Sequence, residues 1–513
     1  MKFATRKKTK NRVLAGIMAF AFLLAGVSWS QTDEEQLTDA EITNAVDDEL
    51  TLDGPTPAMK IDVSTDEGIV TLTGEVNSIL GKDRAEDIAA TVKGVRGIIN
   101  RISVVAAQRP DLEIQEDIED ALLADPATES WEIVASVNDS VVTLTGNVDS
   151  YQEKQLAAKV AKGVRGVVEV NNNVTIDYDT ERPDVDIEKE IQQILRWDPY
   201  VDDALITVSV DNGVVTLAGT VGSLAEKTRA TNKAWVPAVT SVDASELEVR
   251  LWARDEELRK DKYVSKTDKQ VEDAVQDAFL YDPRVNMFDI DVDASNGYVT
   301  LRGKVDNLQA RRAAGTDARN VLGVWGVKNQ LKVRPAAPPS DSRIDDNVAD
   351  ALQRDPFVDR YEITVSVADG HVYLHGDVDS TYEKTHAEDV ASRQAGVTAV
   401  HNFLSVNIPE IAGYNPYTDE SYPGDYDWYA PEETTPKATD WEIKQAIQDQ
   451  IYWSPYVESE DVTVTVDNGV AELTGTVDTW AERQAAEENA WDGGAIDVNN
   501  KLSVEYAPEY YQP

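Results

Sequence analysis

One hydrophobic pattern occurs six times along the chain, an alternation of apolar and polar residues that ends in glycine. Its first copy, Gly68 to Gly74, places Val70 and Leu72 on one face and two threonines on the other, as a half-buried strand requires. The six copies end at Gly74, Gly146, Gly219, Gly303, Gly376 and Gly475. Spacings of 72, 73, 84, 73 and 99 residues between these glycines indicate an array of small domains.

Each copy is preceded by an amphipathic helix and a first strand. In the third copy Ile187, Ile191 and Ile194 recur at helical spacing. Proline cannot continue a helix, so an Asp-Pro pair is expected to end this helix in the four central copies. The pairs are Asp125-Pro126, Asp198-Pro199, Asp282-Pro283 and Asp355-Pro356. In turns such as Asn212-Gly213 the two residues supply the positive φ angles of a type I′ hairpin, so the repeated strand is predicted to be its second arm.

A second helix and a third strand complete the predicted unit. The helix begins four residues after the motif glycine, at a residue suited to cap it: Ser78, Ser150, Ser223, Asn307, Ser380 or Thr479. In four copies a glutamate three residues later predicts a capping box: Glu153, Glu226, Glu383 and Glu482. The third strand carries an asparagine in five copies, Asn100, Asn172, Asn329, Asn402 and Asn500, and Ser245 in the other. Because a helix links the second strand to the third, a parallel right-handed crossover is expected.

The predicted fold class is α+β, a tandem array of six small α-β-β-α-β domains. Each domain is expected to form a three-stranded mixed sheet with two helices on one face. The predicted domains span residues 36–106, 111–178, 184–252, 266–334, 341–408 and 440–506. The linker 253–265 is highly charged and is expected to form a short solvated helix. The linker 409–439, rich in Tyr, Pro and acidic residues, is either a disordered spacer or a partner-docking segment.

This order of elements resembles the BON domain (bacterial OsmY and nodulation), a family found in exported bacterial proteins. The resemblance rests on the Asp-Pro helix stop, the Val-x-Leu-x-Gly-x-Val strand, and a Gly-Val pair near the end of the second helix, as at Gly163-Val164 and Gly323-Val324. It covers about six units and nearly all of the mature chain. The resemblance implies a role in cell-envelope maintenance or stress protection, through interaction with membranes or outer-membrane proteins.

The first 30 residues are predicted to be a signal peptide. Six basic residues precede and flank an uncharged apolar stretch, Val13 to Val27, and Ser28 and Ser30 occupy the positions that a signal peptidase inspects. The alternative is an uncleaved membrane anchor, but a span usually needs about 20 apolar residues and this stretch is shorter. We therefore expect export to the periplasm, with an extracellular location as the alternative.

Charge narrows the classes of partner. After loss of residues 1–30 the chain carries 42 Lys and Arg against 94 Asp and Glu, a net charge of −52. Such a surface repels nucleic acid, and it repels anionic lipid headgroups unless cations screen it. The charge serves either solubility in a saline environment or attraction of a basic partner.

No enzyme signature is present in the sequence. The chain has no cysteine, which excludes disulfides, thiolate metal sites and cysteine nucleophiles. Neither Gly-x-Ser-x-Gly nor His-Glu-x-x-His occurs, and the residues that recur in all copies are those of turns, cores and caps. We expect no catalytic, cofactor-binding or metal site. All four histidines, His371, His375, His386 and His401, fall in the fifth unit, where a metal or pH-sensing patch competes with simple surface variation.

The predicted function is that of a noncatalytic, exported binding array. Its expected partners are envelope or outer-membrane proteins, bound through protein contacts or chaperone-like holding, with neither nucleic acid nor a small-molecule substrate. The alternative is a peripheral phospholipid binder that acts through cations or local basic patches. The patches are Lys159 to Arg165, and Arg302 and Lys304 with Arg311 and Arg312.

Overall fold

The computed structural model describes most of the chain after residue 36. The described residues are 37–52, 61–125, 128, 133–178, 182–254, 262, 266–285, 289–335, 337–358, 362–406, 439–457, 459–477, 479–495 and 497–504. The predicted signal peptide therefore lies outside the described residues. So does nearly all of the linker 409–439.

Every copy of the motif folds into the same unit, helix, hairpin, helix, strand. The first helices are α1 (Asp39–Leu52), α3 (Asp111–Ala124), α5 (Asp184–Trp197), α7 (Asp268–Phe279), α9 (Asp341–Arg354) and α11 (Asp440–Trp453). The second helices are α2 (Ile79–Thr91), α4 (Tyr151–Lys162), α6 (Leu224–Lys233), α8 (Leu308–Arg319), α10 (Thr381–Ser392) and α12 (Trp480–Asp492). The predicted α+β array of six domains is confirmed.

The strands of each unit form one small mixed sheet. The hairpins are β1 (Ile61–Asp66) with β2 (Ile69–Val76), β4 (Ile133–Asn138) with β5 (Val141–Val148), β8 (Ile206–Asp211) with β9 (Val214–Val221), β11 (Ile290–Ser295) with β12 (Tyr298–Val305), β15 (Ile363–Ala368) with β16 (His371–Val378), and β18 (Val462–Asp467) with β19 (Val470–Val477). The third strands are β3 (Gly97–Val104), β10 (Ser241–Val249) and β17 (Ala399–Val406), and in the other units the interrupted pairs β6 (Glu169–Asn172) with β7 (Thr175–Ile176), β13 (Gly326–Asn329) with β14 (Lys332–Val333), and β20 (Asp497–Asn500) with β21 (Ser503–Val504).

The repeated strand is the centre of its sheet. β2 pairs antiparallel with β1 and parallel with β3, and the other five sheets repeat this order. The predicted parallel crossover is therefore confirmed. Val70 and Leu72 are completely buried against the helices, which is the alternation read from the sequence. The final motif glycine is also required by packing, since a Cβ on Gly376 would lie 1.9 Å from the Glu362 carbonyl oxygen of the paired strand.

The first helix ends at its predicted stop in three of the four Asp-Pro copies. α3, α5 and α9 end at the residue before Asp125, Asp198 and Asp355. In the fourth copy α7 ends earlier, at Phe279, three residues before Asp282. The aspartate then turns the chain, as Asp198 does when its Oδ1 accepts a hydrogen bond of 2.9 Å from the Tyr200 backbone N–H.

The second-helix caps are confirmed in all six copies. Each predicted residue accepts a hydrogen bond from the backbone N–H three positions on, at 3.1 Å for Ser150 and Glu153. The capping box differs in one detail. The Glu153 carboxylate accepts from the backbone N–H of Asp149, the residue before the cap, and Glu383 does the same with Asp379. The glutamate thus closes the turn that enters the helix.

The strand asparagines join the third strand to the second helix. Asn172 donates through Nδ2 to the Lys154 carbonyl at 2.7 Å and accepts through Oδ1 from the Val174 N–H. The same pair of bonds occurs at Asn100, Asn329, Asn402 and Asn500. In the third copy Lys227 on α6 instead donates to the Leu247 carbonyl, which compensates for Ser245.

An aspartate at the start of each first helix holds the hairpin turn of the same unit. Asp184 accepts hydrogen bonds from the backbone N–H groups of Asn212 and Gly213, at 2.8 and 3.0 Å. The partner aspartates are Asp39, Asp111, Asp268, Asp341 and Asp440, each bonded to a turn N–H 29 residues later. A carboxylate at a helix N-terminus also interacts favourably with the helix dipole. This aspartate clamp is a folding device that the sequence analysis missed.

One backbone contact between units recurs three times, and it joins the six units in a nested order. The backbone N–H of Leu322, before Gly323, donates to the carbonyl of Trp197 at the end of α5. The equivalent bonds run from Lys93 to Trp453 and from Arg165 to Arg354. The third unit therefore pairs with the fourth, the second with the fifth, and the first with the sixth. We call these contacts the third–fourth, second–fifth and first–sixth junctions.

Apolar side chains cross between the units at these contacts. Trp453 of the sixth unit packs on the core of the first, and Trp197 of the third unit packs on the joint core of the fourth and fifth. Trp325 of the fourth unit belongs to the core of the sixth. The units between residues 37 and 504 therefore pack against one another through their side chains.

Candidate functional site

The outer face of the fifth sheet carries a strip of stacked rings. The His371 Nδ1 and His401 Nε2 atoms lie 3.1 Å apart, and Tyr373 stacks on His401 with ring centres separated by 4.7 Å. His375 stacks on Phe403 at 5.0 Å, and Phe403 keeps 56% of its surface exposed. Side chains on one face of neighbouring strands meet in this way because the strand period is two.

The histidines divide into two groups with different roles. His386 lies on α10, away from the strip, and its Nε2 is 2.7 Å from Asp355 Oδ2, where it holds the end of α9. Among the described residues, no group of three or more His, Asp or Glu side chains is arranged to hold a metal. The strip therefore brings together His371, His375 and His401 as an aromatic surface.

Four other outer sheet faces also expose large apolar side chains. These residues are Ile69, Ile99, Val134, Val214 and Tyr298. They occupy the outward positions of the alternation, on the face opposite the core. Together with the strip they form the outward sheet faces of the first five units, a set of small exposed patches on separate sheets.

The predicted basic patches do not remain as free cationic surfaces. Lys162 pairs with Asp83 of the first unit at 2.6 Å, and Arg165 donates to two carbonyls of the fifth unit. In the second patch Arg312 pairs with Glu388 of the fifth unit at 2.5 Å, and Arg302 lies 3.3 Å from Asp293. These basic side chains contact other units or neighbouring strands, so the patches proposed for lipid binding are largely used within the protein.

Three basic residues from distant segments occupy equivalent positions at the ends of first helices. Arg165 donates to the Asp355 and Val358 carbonyls after α9, and Arg254 donates to Ser454 and Val457 after α11. Lys262 fills the same position after α5, where it donates to Leu195 and Val201. A cation at a helix C-terminus satisfies carbonyls that lack partners in the helix and interacts favourably with its dipole.

These contacts correct the prediction of a solvated charged linker. Lys262 is almost fully buried, and Ala253 is completely buried beside Arg254. Of the linker 253–265, residues 253 and 254 end a short 3₁₀ turn, Leu251–Arg254, while the segments 255–261 and 263–265, where the solvated helix was expected, lie outside the described residues. Its basic residues were read as solvated because a carbonyl acceptor on another unit leaves no mark in the local sequence.

A cleft of about 760 Å³ opens where the second, third and fourth units meet. Its walls come from the helices α4, α5, α6, α7 and α8. Tyr151 of the second unit stacks on Trp235 of the third, with ring centres 3.9 Å apart, and Gln152 donates to the Trp235 carbonyl at 2.8 Å. Trp197 and Tyr281 add two further rings to the lining.

Carboxyl groups are set into the fourth-unit wall of this cleft. Arg284 binds Asp282 through several hydrogen bonds, and Asp282 also shares a hydrogen bond with the carboxyl group of Asp317, whose Oδ2 atom is closed to solvent. Burial and the negative charge of Asp282 raise the pKa of Asp317 to about 8. Burial and the charges of Asp273 and Glu190 also raise the pKa of Asp277. The wall thus holds a carboxyl group that is protonated at neutral pH.

No pattern in the sequence indicated this cleft. Its lining residues come from three units, and those that recur between copies, Asp198, Asp282 and Pro283, belong to the Asp-Pro stops, which indicated a helix end rather than a site. No expected site residue lies in it except Lys159, which is exposed at the cleft and begins the first predicted basic patch.

No helix among the described residues is long and apolar enough to cross a membrane.

Comparisons with known proteins agree with the repeated unit. The family model described as BON domain matches residues 38–106, 110–178, 183–250, 267–335, 340–408 and 439–506. Osmotically-inducible protein Y of Escherichia coli (strain K12) is 33% identical over 121 residues, which cover 22% of this chain and 60% of that relative. The match thus spans less than two thirds of the relative's length.

The solved structures that match include two of CdsD, a structural protein of the type III secretion system of Chlamydia trachomatis. The C-terminal domain is 17% identical and matches over 45% of this chain and all of its own length, with a TM-score of 0.12. The second structure is 17% identical and matches over 46% of this chain and 97% of its own, with a TM-score of 0.13. At these TM-scores neither likeness bears on function.

Proposed function

Because this chain belongs to the BON domain family, we propose that it is a noncatalytic, exported binding protein of the cell envelope that acts in osmotic stress or envelope maintenance. The family match covers most of the chain, and the similar protein is named for osmotic induction. The residues repeated in every unit serve turns, caps and cores, which supports binding rather than catalysis.

The observation that carries the proposal is the exposure of apolar residues on the outward sheet faces. Tyr298 and Phe403 each keep about half of their surface in contact with solvent. Where units pack against one another, by contrast, their apolar side chains are buried. Large exposed apolar side chains grouped on a surface are typical of protein interaction sites. Five small faces in one chain bind weakly one by one and strongly together, because each bound face raises the local concentration of the next.

Charge indicates which partner suits these faces. The net charge of −52 expected after signal cleavage attracts proteins with positive surfaces and repels anionic membranes. Contacts with envelope or outer-membrane proteins, or holding of their unfolded chains, fit this combination of acidic surface and apolar faces.

The alternative, a peripheral phospholipid binder, retains only part of the basic surface in the patches proposed for it. Lys162, Arg165 and Arg312 contact other units. Lipid binding would therefore depend on added cations. Flotation of the mature protein on anionic vesicles, with and without calcium, tests this alternative. Flotation without calcium would contradict the proposal of protein partners.

A pair of triple variants tests the outward sheet faces directly. Ile99→Ser, Tyr298→Ser and Phe403→Ser together remove apolar surface from three sheets, and we expect at least a tenfold loss of protein recovered from envelope extracts. The matched control combines Leu112→Ser, Val185→Ser and Trp441→Ser, which remove exposed apolar residues from three first helices. Equal losses in the two triple variants would refute a specific role for the sheet faces.

A further inference from the structure

The cleft between the second, third and fourth units has the volume and the lining of a ligand site, which the family assignment does not describe. It is built from five helices of three units, and its volume of about 760 Å³ is that of a pocket for a small organic molecule. Apolar side chains such as Ala274 and Val321 line it beside rings and charged groups. Such a mixture favours a ligand with both an aliphatic part and polar ends.

The arrangement of charge indicates the sign of those ends. Lys159 and Lys189 lie at the exposed rim of the cleft, and Lys233 is half-buried, whereas the carboxyl groups of Asp277 and Asp317 are partly buried in the wall. Asp282 is already matched by Arg284. Asp317 shares a hydrogen bond with Asp282, so the two carboxyl groups hold one proton between them. Neighbouring carboxylates repel each other once that proton is lost, and a cationic donor is the partner that stabilises them best.

Aromatic rings near these carboxyl groups suit the same kind of ligand. Trp197 and Tyr281 line the cleft together with the stacked pair Tyr151 and Trp235. The face of an aromatic ring attracts an ammonium group and also packs against the methylene groups beside it. Carboxylates and rings in one cleft thus recognise the two parts of an organic amine.

We propose that this cleft binds an organic polyamine, with one ammonium group at Asp317 and a second near Asp277 or Asp186. The aliphatic spacer lies along the rings of Trp197 and Tyr281. The acidic surface of the chain concentrates such cations around the protein, which raises the rate of association.

Binding at Asp317 exchanges a proton for an ammonium group. The charges that act on Asp317 are Asp282, Arg284 and Lys233, and Arg284 also interacts with Asp389 of the fifth unit. Before binding, the raised pKa keeps Asp317 protonated at pH 7. The ammonium stabilises the carboxylate, so the proton leaves to solvent as the new ion pair forms.

Calorimetric titration of the mature protein with spermidine tests the proposal. Titrations at pH 7 in phosphate and in Tris, whose ionisation enthalpies differ, count the protons released. We expect one saturable site in the presence of magnesium, with release of close to one proton per spermidine bound. Asp317→Asn should weaken binding at least tenfold and abolish the proton release.

The first–sixth junction provides the matched control. Asp449→Asn removes an exposed carboxyl group whose pKa is likewise raised, by desolvation and by Asp48, but which lies outside the cleft. It should leave spermidine binding unchanged. Equal effects of the two substitutions, binding that magnesium abolishes, or binding without proton release would each show ordinary counterion binding and overturn the proposal. Tyr281→Leu, which removes a ring and no carboxylate, should also weaken binding several-fold.

Discussion

The third–fourth and first–sixth junctions are built on the same contact. In each, a backbone N–H before a left-handed glycine donates to the carbonyl of a tryptophan that ends a first helix, at 2.8 Å for Trp197 and 2.9 Å for Trp453. Both tryptophan side chains then pack on the core of the unit that donates the bond. If the count of units continues from the sixth back to the first, a shift of three units turns the third–fourth pair into the sixth–first pair.

The side chains around this contact differ. At the first–sixth junction Gln450 donates to Glu49 at 2.6 Å, and the Lys93 ammonium lies 4.8 Å from the centre of the Tyr452 ring. At the third–fourth junction Tyr281 donates to Glu190, and the space beside them opens into the cleft. The comparison teaches that main chain and tryptophan set the pairing of units, while the surrounding side chains are free to fill a junction or to leave a cleft.

The largest expected effect comes from removing the shared tryptophan. Trp197→Ala and Trp453→Ala should each destabilise the protein by about 2–3 kcal/mol, below the roughly 3–5 of a fully buried aromatic residue because both rings are half-buried. Scanning calorimetry measures the loss, and small-angle scattering should show expansion. If one variant unfolds like the wild type, the two junctions are not equivalent.

The second–fifth junction, which has no tryptophan, extends the comparison. There the Arg165 side chain donates to the Asp355 and Val358 carbonyls, at 2.8 and 2.9 Å. Arg165→Met keeps the apolar stem and removes both bonds, and we expect a loss of about 2 kcal/mol in denaturant unfolding. Arg302→Met, at an exposed ion pair, is the control and should change stability by less than about 0.5 kcal/mol.

Asp317→Asn should change how stability depends on pH. The pKa of Asp317 is raised to about 8, so the folded protein holds a proton that the unfolded chain loses near pH 4. Stability therefore falls as pH rises between these values. Burial also raises the pKa of Asp282, but the bonds and charge of Arg284 lower it more, so Asp282 titrates below this window.

In Asp317→Asn the fall in stability with rising pH should disappear. We expect an unfolding temperature about 2–4 °C above that of the wild type at pH 9 and little difference at pH 5. Asp449→Asn should produce a smaller rise of the same sign, since desolvation and Asp48 raise the pKa of Asp449. A rise of equal size at both pH values would mean that Asp317 acts through packing alone.

The smallest effect is expected within the filled junction. Gln450→Ala removes one hydrogen bond to Glu49, whose pKa burial raises, and should cost at most about 1 kcal/mol. The change should leave spermidine binding in the cleft untouched. A larger loss, measured by calorimetry beside the wild type, would show that this side-chain bond and not Trp453 holds the first unit to the sixth.

The fold of one unit follows from local sequence because its signals are local. Alternation around Val70 and Leu72, the turn at Asn212-Gly213 and the cap at Ser150 each act over a few residues and recur six times. The aspartate clamp was missed although its constant spacing of 29 residues is visible in every copy. It links a helix to a turn, and neither hydrophobic periodicity nor cap patterns report such a bond.

The contacts between units were not predictable from pattern. Trp197 and Trp453 stand out as tryptophans at the same position three units apart, which hints at related junctions. Nothing in the chain near Arg165, Arg254 or Lys262 indicates the carbonyls that receive them, because those acceptors belong to distant backbone. The cleft depends on these packings and so could not be inferred from repeated residues.

The nested pairing gives the chain an order of assembly. Contacts at the third–fourth junction join residues 91 positions apart, those of the second–fifth junction 190, and those of the first–sixth junction 401. Closing a longer loop costs more entropy unless an inner pair has already shortened it. The middle of the chain is therefore expected to dock first, and the first–sixth junction to form last. The first–sixth junction can form only after the whole chain has been synthesised. A truncated product that lacks the sixth unit therefore leaves the first unit without its partner at this junction.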